Sequence, residues 1–105
     1  MSDVPYDLGI RAFQLQIEQL YGPRDTARGV DGTFVWFVEE VGELARALKS
    51  GDQANLREEF SDCFAWLTTL ASLTGIDMAD AAARYVPGCP RCADSPCTGP
   101  RKAKT

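Results

Sequence analysis

Histidine is missing from this 105-residue sequence, and that absence removes a large part of enzyme chemistry. It excludes Ser-His-Asp and Cys-His nucleophilic machinery and every histidine-held metal site. An excess of basic charge is missing too: 11 Lys and Arg stand against 15 Asp and Glu, a net charge of −4. A general affinity for a nucleic-acid polymer needs a basic face, so none is expected. Nucleotide binding stays open, because a metal ion can offset carboxylates and phosphates together. No apolar run approaches the roughly 20 residues of a membrane span, so no membrane partner is expected. The stretch from Met1 to Asp7 lacks the basic and apolar regions of a signal peptide. A cytoplasmic location is therefore expected, where the four cysteines need not pair as disulfides.

Alternating apolar and polar runs, the signature of strands, are also wanting, whereas helical periods are plentiful. A first helix is expected from about Tyr6 to Tyr21, with Leu8, Ala12, Leu15 and Leu20 among its apolar residues and Gly22-Pro23 as its stop. The charged, glycine-rich stretch from Arg24 to Gly32 reads as a polar loop. A second helix starts near Asp31 or Thr33, either of which can cap it, and ends at Ser50-Gly51. Its apolar stripe is Phe34, Phe37, Val38, Val41, Leu44, Ala45 and Leu48.

A third helix runs from Gln53 to Thr74, with Gly75 as its stop. Its stripe is Leu56, Phe60, Cys63, Leu67, Leu70 and Ala71. A short fourth helix, Met78 to Tyr85, is capped by Asp77 and ended by Pro87-Gly88. Short links between helices imply an all-α, antiparallel bundle of about four helices over residues 1–86. An irregular Cys- and Pro-rich tail over 87–105 follows, with Arg101 to Thr105 expected to be disordered. A chain this short buries a modest core, so pairing with a second copy would complete it.

Two acidic clusters stand out, Glu39-Glu40-x-x-Glu43 on the second helix and Glu58-Glu59-x-x-Asp62 on the third. Residues three apart share a helix face, so Glu40 and Glu43 point one way and Glu59 and Asp62 another. Such pairs are usually a solvated face. Three features favour a metal site instead. The acids share their rows with bulky and small residues rather than with Lys and Arg. One row is Trp36, Glu40, Glu43 and Ala47; the other is Asn55, Glu59, Asp62, Trp66, Thr69 and Leu73, both at the spacing of a packing seam. Four carboxylates along facing seams repel unless a cation neutralises them. Finally, hard oxygen ligands without His or Cys suit Mg²⁺, or Mn²⁺.

With these motifs the sequence resembles the MazG-like, all-α nucleoside triphosphate pyrophosphohydrolase superfamily. The likeness rests on Glu39-Glu40-x-x-Glu43 and Glu59-x-x-Asp62, with Phe37 to Ala47 and Glu58 to Cys63 reading like family segments. It covers about residues 30–86. The resemblance implies a helical homodimer or homotetramer with Mg²⁺ at Glu40, Glu43, Glu59 and Asp62. It also implies hydrolysis of a nucleoside triphosphate to the monophosphate and pyrophosphate. Glu39 matches the leading acid, for a second metal or for activating water.

Trp36 and Trp66 share the ligand seams and either stack on a nucleobase or simply fill core. Arg84, and less strongly Arg24 and Arg28, are candidates for phosphate contact. The alternative reading is a non-catalytic helical interaction module whose Cys tail contacts a partner. A di-iron carboxylate bundle normally uses Glu-x-x-His pairs and is set aside. Related small pyrophosphohydrolases can carry a Cys-rich tail. Here Cys89-x-x-Cys92-x₄-Cys97 looks like an incomplete zinc knuckle. Cys63 belongs to a core stripe, so the ligand count falls short of four and no stable zinc is expected.

Overall fold

The computed structural model describes residues 8–99. The expected first turn at Tyr6 and the expected disorder of Arg101 to Thr105 therefore lie outside the described residues. Three helices carry the fold: α1 (Ile10–Ser50), α2 (Gln53–Leu73) and α3 (Met78–Ala83). No strand occurs among the described residues, as the periodicity predicts. Residues 84–99 form turns and bends.

The first two expected helices are joined as α1, with their boundary at Gly29 rather than at Gly22-Pro23. Gly29 has φ 82° and ψ 176°, a non-helical conformation inside the helix. A straight helix of 41 residues would run about 61 Å at 1.5 Å per residue. The molecule measures only 42 × 35 × 33 Å, so α1 folds back at this glycine. It thus has two arms, 10–28 and 30–50, and both pack against α2.

Pro23 sits inside the first arm. Its ring removes an amide that would bond the Gln19 carbonyl. Gln19 and Pro23 are both exposed, which lets water take that carbonyl. Gly22 carries no Cβ to clash with the proline ring. Continuing the helix carries Asp25 into the interior, where it is buried. The segment expected as a loop is therefore helical because its polar residues have partners on α2.

The α1–α2 turn follows the sequence closely. Gly51 is left-handed at φ 74° and its N–H bonds the Ala47 carbonyl. Asp52 then caps α2, its side chain accepting from the amides of Ala54 and Asn55. Asp77 caps α3 in the same way, accepting from Ala79 and Asp80. It also receives a 2.8 Å ion pair from Arg11. Gln14 locks the same corner. Its amide nitrogen donates to Ser72 Oγ at 3.0 Å and the Ile76 carbonyl at 2.9 Å, and its oxygen accepts from Met78 N–H at 2.8 Å. Phe13 stacks on Phe64, ring centroids 4.9 Å apart.

The interior is not the one the apolar stripes suggest. The buried apolar residues are Ile17, Ala47 and Ala71, while Phe34, Val38, Val41, Leu48 and Phe60 are exposed. The row that faces α2 is the polar one: Thr33 and Ala47 are both 0% exposed, and Glu40 and Glu43 lie half-buried between them. Within one chain, then, the acidic row of α1 is the packing seam and most of its apolar stripe points outward.

Candidate metal and nucleotide site

The hairpin of α1 and α2 brings the two acidic rows face to face. Carboxylate oxygens of Glu40, Glu59 and Asp62 lie within 4.8 Å of one another. Glu40 and Glu59 are half-buried and Asp62 is exposed, so the group opens to solvent on one side. Burial first, then the charges of Asp62, Glu59 and Glu43, hold the Glu40 carboxyl above its ordinary range. Glu59 Oε1 is buried and has no hydrogen-bond partner. An orphaned carboxylate oxygen beside two further carboxylates is costly. A divalent cation removes that cost.

The donor set fits a small hard ion. Oxygens around Mg²⁺ at 2.0–2.1 Å sit about 2.9 Å apart when adjacent and about 4.2 Å when opposite. The trio is close to that spacing. Two residues of the expected set stand apart from it. Glu43 pairs with Arg46, Oε2 to Nη2 at 2.8 Å, although its charge still acts on Glu40. Glu39 is exposed and is not one of the grouped acids. Cys63, half-buried beside them, has its thiol pushed up by burial and by Glu40, Glu59 and Asp62.

A cleft of about 280 Å³ adjoins the carboxylates, lined among others by Tyr21, Arg24, Arg28, Asp62, Trp66 and Thr69. Trp36 and Trp66 stack with centroids 6.0 Å apart and planes 11° from parallel. Trp66 is also covered by Arg28, whose Cζ lies 4.7 Å from the ring centroid. Trp36 remains 49% exposed and so keeps more surface for a planar ligand.

Arg28 is held from behind by Asp25, whose Oδ1 accepts from Nη1 at 3.0 Å and Nη2 at 2.6 Å. Asp25 Oδ2 in turn accepts from Thr69 Oγ1 at 3.3 Å. A Cβ on Gly32 would lie 2.8 Å from Arg28 Cγ, so glycine there leaves room for the arginine stem. Asp25 was not among the expected site residues, and Arg28 ranked low. The Asp25-x-x-Arg28 spacing is a legible signal only once the segment is known to be helical. Arg84 is not brought to the cleft: α3 ends at Ala83, and Arg84 lies exposed with its Cζ 5.7 Å from the Tyr85 ring.

The raised Glu40 carboxyl gives a signed pH prediction. A folded-state carboxyl above its unfolded value favours the protonated form, so this group's contribution falls as pH rises through that window. Metal-free Glu40→Gln protein is therefore expected to melt above metal-free wild type at neutral pH. The gap should close well below the carboxylate range. Parallel thermal melts across pH check this; a gap that does not vary with pH contradicts it.

The site is thus an all-α hairpin presenting clustered carboxylates beside a cleft lined by arginines and an indole. The model of the MazG nucleotide pyrophosphohydrolase domain matches residues 29–88, more than half of the chain, and the protein belongs to that family. Comparison with curated proteins gives no match. No described helix is long and apolar enough to cross a membrane.

Proposed function

We propose that the protein hydrolyses a nucleoside or deoxynucleoside triphosphate to the monophosphate and pyrophosphate at the Glu40, Glu59 and Asp62 centre. The observation that carries this reading is the buried, unpartnered Glu59 Oε1 within a trio of grouped carboxylates. A merely solvated acidic face would not bury an oxygen without a partner. Glu40, Glu59 and Asp62 would hold Mg²⁺, or Mn²⁺, and Glu43 would join them on leaving Arg46. When bound, the ion neutralises phosphate charge and acidifies a water.

The chain's own residues supply the remainder. Arg24 and Arg28 line the cleft beside Asp62 and orient the phosphates, with Asp25 fixing the Arg28 fork. The exposed ring of Trp36 receives the base by stacking. Water attacks the α-phosphorus and the bond to the bridging oxygen breaks. Pyrophosphate leaves, and Glu39, outside the trio, accepts the proton. A product panel over canonical, deoxy and damaged triphosphates tests the reaction class. Pyrophosphate released only with Mg²⁺ or Mn²⁺ is the expected product, and orthophosphate would contradict the assignment.

The active form is a homodimer or homotetramer. Phe34, Val38, Val41 and Leu48 on α1 and Phe60 and Leu67 on α2 are exposed in one chain. Apolar area on that scale is characteristic of a surface that a second copy covers. Light scattering on the eluting protein is expected to give two or four chains. Val38→Asp should lower that mass, and a monomeric wild type at micromolar concentration would contradict the assembly.

A further inference from the structure

After α3 the chain closes a second group of ligand-type side chains. The Sγ atoms of Cys89, Cys92 and Cys97 all lie within 4.8 Å of one another, with Cys92 and Cys97 3.5 Å apart. All three are free thiols. Sulfurs on one tetrahedral ion at 2.3 Å sit roughly 3.8 Å apart, so the triad is near the spacing a single soft cation needs.

The backbone is built around it. Ala93, directly after Cys92, is left-handed at φ 67°. This turn closes residues 89–94 on themselves: Ala93 N–H donates to the Cys89 carbonyl at 2.7 Å and Cys89 N–H to the Asp94 carbonyl at 3.0 Å. A Cβ on Gly88 would lie 2.8 Å from the Ala93 carbonyl oxygen, so this approach requires glycine. Thr98 Oγ1 donates to Asp94 Oδ2 at 2.5 Å, tying the next loop back. A cavity of about 550 Å³, lined in part by Cys89, Asp94 and Cys97, gives access from solvent.

We infer that Cys89, Cys92 and Cys97 form a three-thiolate site for a soft divalent cation of the zinc class, separate from the carboxylate centre, with a water as fourth ligand. Ligand count alone argues against metal here. The closed turn and the Thr98–Asp94 tie outweigh it, because they pre-organise three ligands within a span of nine residues. Such a site would staple a tail that otherwise has no regular element.

Cobalt substitution tests the inference. The full chain, stripped with chelator under reducing conditions, is titrated with Co²⁺. Near-ultraviolet thiolate-to-cobalt absorption with tetrahedral visible bands is expected, saturating at about one equivalent, and Zn²⁺ should bleach it. Cys92→Ser should abolish the absorption, whereas Glu59→Gln should leave it intact, since oxygen-held Co²⁺ gives no such band. Maleimide labelling supplies a second readout that does not depend on the variant's folding. Zn²⁺ should protect Cys89, Cys92 and Cys97 of the wild type. Absence of the charge-transfer band at excess Co²⁺, or equal labelling with and without Zn²⁺, would overturn the site.

Discussion

Asp62→Asn is expected to lower pyrophosphate release about a thousandfold, a loss of about 4 kcal/mol of transition-state stabilisation. Helix content and oligomeric mass should not change. Asp62 is the exposed member of the trio and also lines the cleft, so in the proposed reaction it would face both the ion and the phosphates. Asn keeps the shape and one oxygen but loses the charge. The change also removes a repulsive neighbour of Glu40, so the metal-free variant should melt no lower than wild type. An unstable variant would make the residue structural. A stable variant with intact activity would remove it from the site. Turnover with Mg²⁺ and thermal melting, measured on the same preparation, separate these results.

Gly29→Ala is expected to have the largest effect on folding. The pair φ 82° and ψ 176° lies in a region that essentially only glycine occupies, and forcing another residue there costs about 1–3 kcal/mol. The cost is purely conformational, since nothing lies within 4 Å of where the added Cβ would sit. For a domain of this size each kcal/mol lowers Tm by about 4–8 °C. Because both arms of α1 pack on α2, relief of the strain by straightening α1 would part Trp36 from Trp66, or Asp25 from Thr69. Thermal unfolding of Gly29→Ala measures the cost. Gly42→Ala, in regular helix with nothing within 4 Å of the added Cβ, is the control and should be neutral or slightly stabilising. Equal behaviour of the two variants would show that the fold at Gly29 carries no strain.

Local chemistry made parts of this molecule legible. Gly51 and Asp77 are readable because a left-handed stop and a side-chain cap act over three or four residues. The acidic rows were readable as a seam because their companions are Trp, Ala and Thr rather than Lys and Arg. Gly22-Pro23 misled because a proline stops a helix only when the lost bond cannot be replaced, and here the freed carbonyl meets water. That error hid Asp25, whose value depends on Thr69, 44 residues later in the chain.

The apolar stripe of α1 is exposed at Phe34, Val38, Val41, Ala45 and Leu48. Periodicity reports which face is apolar, not whether the same chain or another covers it. No spacing rule includes the Arg46 that pairs with Glu43 one turn away, or a helix that ends at Ala83, just before Arg84.

The most direct test is Mn²⁺ binding followed by electron paramagnetic resonance, with Mg²⁺ as competitor. Wild type should quench the free-ion signal at micromolar Mn²⁺ and recover it with Mg²⁺, while Glu59→Gln and Asp62→Asn should leave the signal free. Equal quenching by wild type and both variants, or none by any of them, would mean that these side chains do not bind the ion.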